Sequence, residues 1–238
     1  MADRSTHAPA SLGRRRFLAS MGSLALGGIL GLRPTRLEAR LDAPRLRRSM
    51  EDAYGQSGLE VLDDWFGLLD RLAGADLDRQ LREVNGFFNR RVRWLDDSLI
   101  WRQEDYWATP LETLGRGEGD CEDFSIAKYI TLQQLGIPTD QLRMIYVRAR
   151  IGRSQITQAH MVLGYYETPD AEPLILDNLV PSITPARDRT DLDPLFSFNS
   201  SGLWAGGSSR SRADPVARLS RWRRVLDRMR LQGFIQGG

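Results

Sequence analysis

The sequence predicts an α+β fold, with helices in the N-terminal half and an antiparallel sheet packed on a cysteine-bearing helix. Three observations predict it. Apolar residues recur at helical spacing between Leu46 and Val92. A capped apolar segment starts at the chain's single cysteine, Cys121. Three β-rich runs then follow, separated by turn signals.

The elements are justified in chain order. Residues 1–39 form an expected export leader. Gly13-Arg14-Arg15-Arg16-Phe17-Leu18 precedes a short, glycine-diluted apolar stretch over 21–32. Twin arginines followed by such a stretch resemble a Tat export signal. Leu37-Glu38-Ala39 is a poor cleavage site, so retention as a membrane anchor stays open. No segment approaches the roughly 20 apolar residues of a spanning helix. Residues 40–238 then make one domain, long enough for a sizeable core. The leader holds six arginines and two acids, which leaves 27 basic and 29 acidic residues beyond it. The basic balance belongs to the leader, and a nucleic-acid surface is not expected.

Leu59, Leu62, Trp65/Phe66 and Leu69 make one helical stripe. Gly74 breaks it, and Asp76 caps a second helix with Leu77, Leu81, Val84 and Phe88 facing the core. Runs 143–150, 159–166 and 174–179 read as strands, with Thr168-Pro169-Asp170 in a hairpin-type connection. Segment 183–199 mixes turn and charge signals and is expected to be irregular. Gly206-Gly207-Ser208-Ser209 reads as a joint. A terminal helix carries Leu219, Trp222, Leu226 and Met229 on one face, and its arginines are expected on a solvated face.

Cys121 lies in Gly119-Asp120-Cys121-Glu122-Asp123-Phe124, where a structural cysteine would have apolar neighbours. Asp120 sits at the expected N-cap, and Cys121 in the first turn. The positive end of a helix favours the thiolate, the nucleophilic form of cysteine. His160 follows by 39 residues in a strand-like run, and Asp177 by a further 17. A cysteine on a helix N-terminus with His and Asp on neighbouring antiparallel strands matches the papain-type arrangement. Asn178 competes with Asp177 for the orienting role, because alternation lets only one of them face His160.

Several ordered blocks now carry a resemblance. They are Tyr106-Trp107-Ala108-Thr109-Pro110, Gly119-Asp120-Cys121-Glu122-Asp123, Lys128-Tyr129, Leu142-Arg143, Gln158-Ala159-His160-Met161-Val162-Leu163, Leu176-Asp177-Asn178-Leu179, and Ser197-Phe198-Asn199 through Gly202-Leu203-Trp204. The chain resembles the bacterial transglutaminase-like cysteine peptidases of the LapG type. The resemblance implies a papain/transglutaminase-like fold and a Cys121-His160-Asp177 triad. It implies a periplasmic, calcium-dependent endopeptidase that clips the N-terminal retention region of a large surface adhesin and so releases cells from a biofilm. It also implies control by an inner-membrane cyclic di-GMP receptor, for which Trp107 is a candidate anchor, with core packing as its other role.

Asp120, Glu122 and Asp123 pose a physical problem beside a thiolate, since like charges raise its pKa. A bound cation removes that penalty, and carboxylate-rich ligation favours calcium over zinc. Helix capping alone is the other account of these acids; the resemblance favours calcium. Three carboxylates do not fill a shell of roughly six to eight oxygens, so further ligands are needed. The rival activity is acyl transfer to an amine, as in a transglutaminase, by the same three residues.

Overall fold

The computed structural model describes residues 41–150, 152, 156–206, 214 and 219–234. All of these belong to one unit, Pro34–Gly238. The expected export leader and most of the joint after Gly206 lie outside the described residues.

Helix α1 (Ala43–Leu72) is capped by Asp42, which accepts from the Arg45 N–H at 3.0 Å. Gly55, at φ 64°, bends it. Leu62, Trp65, Leu68, Leu69 and Leu72 are buried along its second half. Asp76 caps α2 (Leu77–Arg91) as the sequence predicts, and Leu81, Val84 and Phe88 are buried. Leu77 corrects the expected stripe, because the first residue of the helix is 38% exposed.

Strand β1 (Arg93–Trp94) pairs in parallel with β2 (Glu118–Gly119). Between them lie the short helix α3 (Asp97–Ile100) and α4 (Pro110–Arg116), whose Thr109–Glu112 capping box satisfies two backbone donors. The β1–β2 pair draws residues 93–97 against the start of α5 (Cys121–Gln134). That helix is buried on most sides, and Gly136 at φ 97° ends it before Pro138.

One antiparallel sheet follows, ordered β6-β5-β4-β3-β7-β8. Its strands are β3 (Leu142–Arg150), β4 (Thr157–Tyr165), β5 (Leu174–Leu176), β6 (Thr184–Pro185), β7 (Leu192–Phe198) and β8 (Leu203–Ala205). Met144, Met161, Leu163 and Leu176 join the main core, whereas Ile145, Val147, Val162 and Ile175 form a smaller cluster. Strand alternation assigns these two sets to opposite faces. Residues 192–198 are therefore not irregular, contrary to the sequence expectation. Pro194 and the surrounding acids look like turn signals, but the strand carries a bulge where its register against β3 shifts between Tyr146 and Val147. A bulge tolerates a proline.

Helix α6 (Ser220–Gln232) docks by Trp222, Val225, Leu226 and Met229. Trp222 packs against Tyr129 and Phe198, and Trp107 stacks on Phe198 at 5.5 Å. Each large apolar side chain buried this way stabilises the fold by about 1.5–3 kcal/mol. Trp107 is thus a core residue, only 6% exposed, and not a free anchor. The arginines of α6 are not all solvated either. Arg221 pairs with Asp105, and Arg228 binds Glu112 and the Trp107 carbonyl. The domain's ends meet in an antiparallel bridge, Leu41 to Phe234, where Asp42 N–H donates to Gly233 O at 2.8 Å.

Candidate active site

Asp120 is the N-cap of α5 and accepts from the Glu122 N–H at 3.1 Å. Asp123 closes the capping box by accepting from the Asp120 N–H at 3.4 Å, and its other oxygen takes the Ala108 N–H at 2.7 Å. Gly119 must be glycine, because a Cβ there would sit 2.9 Å from Asp123 Cβ. This fixes Cys121 in the first turn, partly exposed. Ser125 ties the same helix to β4 through the Met161 carbonyl at 3.1 Å.

His160 reaches the site from β4. Its Nε2 lies 2.9 Å from Asp177 Oδ1, and both side chains are buried. That arrangement leaves Nδ1 as the other ring nitrogen. Asp177 stands just beyond β5, with its backbone carbonyl held by Asn89 of α2 at 2.8 Å. Of the two competing neighbours, Asp177 faces the imidazole, and the Asn178 side-chain oxygen is buried without a partner. Asp177 also accepts from the Leu179 N–H at 3.0 Å and from Arg189 Nη2 at 2.7 Å. Burial alone would raise its pKa. The bond and charge of His160, then Leu179 and Arg189, outweigh burial and bring it down to about 2.

Cys121 and His160 line one cleft of about 670 Å³ with Trp94, Asp96, Asp97, Glu104, Asp105, Asp120, Glu122 and Leu179. The acids dominate its electrostatics. Asp97, Asp120 and Asp123 bring carboxylate oxygens within 4.8 Å of one another. Glu122 instead groups with Asp120 and Cys121, and its Oε2 accepts from the thiol at 2.7 Å. Burial and the neighbouring acids push Asp97 up to about 7 and Asp120 to about 8. Burial raises Glu122, and burial with Asp120 and other acids holds Asp123 well up. Burial first, then Glu122 and Asp120, raise the Cys121 thiol as well, against a backbone hydrogen bond from Met161. Burial and the two acids together outweigh that backbone donor.

The donor set fits a hard divalent cation. It consists of carboxylate oxygens only, and Asp97 Oδ1 is buried without a hydrogen-bond partner while Oδ2 accepts from the Tyr106 N–H at 2.5 Å. Asp97 is the member that sequence reasoning missed. It lies 24 residues before Cys121, in an Asp-Asp-Ser run that looks like a helix cap. Only the β1–β2 pairing brings it close. Arg189 was likewise hidden in a segment expected to be irregular.

A thiol in a helix's first turn, sharing a cleft with an imidazole that is backed by a buried carboxylate, is the arrangement of a thiol-dependent hydrolase or acyl transferase. The chain belongs to the bacterial transglutaminase-like cysteine proteinase family, whose model matches residues 71–192. Among solved structures it is similar to Legionella pneumophila LapG, with 37% identity and a TM-score of 0.66 over 78% of this chain and 96% of that one. A form of that protein treated with EGTA gives 38% identity and a TM-score of 0.68, over 78% and 96%. Its calcium-bound form gives 38% and 0.65, over 76% and 96%. The comparison with curated proteins found no match.

Proposed function

We propose that this chain is a periplasmic, calcium-dependent cysteine endopeptidase that cleaves the N-terminal retention region of a large surface adhesin. An inner-membrane cyclic di-GMP receptor holds it away from that substrate. The observation that carries the peptidase reading is the cleft lined by Cys121 and by His160, whose ring is hydrogen-bonded to the buried Asp177. Family membership supports the activity, and the resemblance of the sequence to the LapG type supports adhesin and receptor. The twin-arginine leader supports export.

In this mechanism His160 takes the Cys121 proton, and the sulfur attacks the scissile carbonyl carbon. Asp177 fixes the ring so that Nδ1 is free for that proton, and its charge stabilises the imidazolium. The Cys121 N–H lies in the first turn of α5, where backbone donors lack intrahelical acceptors, and suits the developing oxyanion. The imidazolium then protonates the leaving amine, and water hydrolyses the thioester. Asp97, Asp120 and Asp123 would hold calcium, with Glu122 at the shared edge. The ion's positive charge would offset the acids that raise the thiol. The calcium-bound relative supports that assignment.

The test is to incubate the protein with purified adhesin N-terminal regions and measure the products by mass. Two peptide fragments, absent with Cys121→Ala, are expected. An isopeptide product with an added primary amine would favour acyl transfer instead.

A further inference from the structure

We infer that Arg189 is a positioning residue for the reaction, acting through Asp177 and braced by Asp191. The inference rests on the peptidase reading of Cys121 and His160.

The geometry is specific. Arg189 Nη2 donates to Asp177 Oδ2 at 2.7 Å and to Asp191 Oδ2 at 2.8 Å. Its Nε donates to Asp191 Oδ1 at 3.0 Å, so the Asp191 contact is a fork. Asp177 Oδ1 is meanwhile shared by His160 and the Leu179 N–H. Each oxygen of the carboxylate is therefore assigned, and the plane that faces the imidazole cannot rotate without breaking a charged bond. The brace is itself anchored to β3, since Arg150 N–H donates to Asp191 O at 2.9 Å and Arg150 Nη2 to Thr190 O at 2.7 Å.

Stability alone explains this arrangement poorly. Arg189 is 7% exposed, and its Nη1 is buried without a partner. Buried ion pairs are often replaceable by apolar side chains at no loss of stability. Charge accounting offers a better reason. Asp177, Asp191 and Arg189 together carry one net negative charge, which matches the imidazolium that forms when Cys121 gives up its proton. Lys128 of α5 is also buried and feels the charge of Asp177, but burial draws its pKa down to about 7, so it is not counted as a full cation.

The experiment uses iodoacetamide labelling of Cys121, read by intact mass. The chain has one cysteine, so the signal is unambiguous. Rates are measured across pH at one fixed calcium concentration for wild type, Arg189→Gln, Arg189→Lys and Asp191→Asn, after melting curves show each is folded. Arg189→Gln is expected to label about tenfold more slowly, as a misaligned orienting group predicts. Its acid limb should move to higher pH, because Asp177 without Arg189 protonates more easily. Arg189→Lys should recover part of the rate, since one ammonium supplies charge but no fork. Asp191→Asn, which keeps Arg189, should shift the same way but less, and it tests the idea even if Arg189→Gln fails to fold. A merely structural role lowers melting temperatures and leaves the rate and pH profile of the folded variants at wild-type values; that result overturns the inference. Wild-type labelling no faster than that of a free cysteine peptide would overturn the peptidase reading itself.

Discussion

Two groups of buried carboxylates flank the same cleft, and they behave oppositely. Asp177 is surrounded by His160, Arg189 and a backbone donor, and lies at about 2. Asp97, buried, and Asp120, partly exposed, rise to about 7 and 8, through burial first and then through the neighbouring acids. Burial pushes all three the same way; the partners of Asp177 reverse that push, and the neighbours of Asp97 and Asp120 add to it. One group carries its counter-cation on the chain. The other leaves a deficit that an external cation would fill.

The hardest way to break this contrast is to neutralise one carboxylate in each group. Asp177→Asn is expected to lower cleavage on the order of 10³–10⁴-fold, as loss of an orienting acid does, measured by the appearance of adhesin fragments. Asp97→Asn should reduce activity only as far as calcium occupancy falls, by about 10–100-fold at limiting calcium, with recovery when calcium is raised.

Stability gives a sign reversal. In chelator, Asp97→Asn should stabilise the protein by roughly 1 kcal/mol, a figure discounted for solvent screening, because it relieves repulsion. Asp177→Asn should destabilise under every condition. With calcium present, both should destabilise, since binding to the folded state adds stability that Asp97→Asn forfeits. Melting in chelator and in calcium separates these outcomes.

The pH dependence follows from the same two directions. A folded pKa of about 2 lies below the roughly 3.9 of a free aspartate. The stabilisation from Asp177 is therefore present above about pH 4 and lost as pH falls towards 2. Asp97 and Asp120 are raised, so the folded protein binds more protons than the unfolded chain from about pH 4 up to their values of about 7 and 8. Stability in chelator should fall as pH rises through that window, and calcium should flatten the slope. A chelated protein with no such slope would remove the repulsion argument.

The smallest expected effect is Glu122→Gln. It removes the acid that the thiol contacts directly. In chelator, the alkylation curve of Cys121 should move to lower pH, with little change in melting.

Much of this contrast was legible in the sequence. Asp120 as N-cap, Cys121 in the first turn, and His160 and Asp177 brought together across β4 and β5 all follow from local signals, caps and alternation, that tertiary structure did not override. The second carboxylate group was half legible, since Asp120 and Asp123 are adjacent in sequence to Cys121. Asp97 was not, because a two-residue parallel pair brings it in and leaves no periodicity to detect. Arg189 and β7 were hidden for a related reason. Pro194 and the acids around it are turn signals that the partner strand β3 and the bulge turn into sheet, and Pro185 joins the sheet through Leu174 of β5.

The bridge between Leu41 and Phe234 makes the described domain nearly a closed ring. Its order of elements is then a matter of where the ring is cut. A short linker from Phe234 to Leu41, with new ends opened in the exposed turn at 167–170, should preserve every strand pairing. Such a permuted chain would start between His160 and Asp177, so the orienting carboxylate would enter the sequence ahead of the nucleophile with the cleft unchanged.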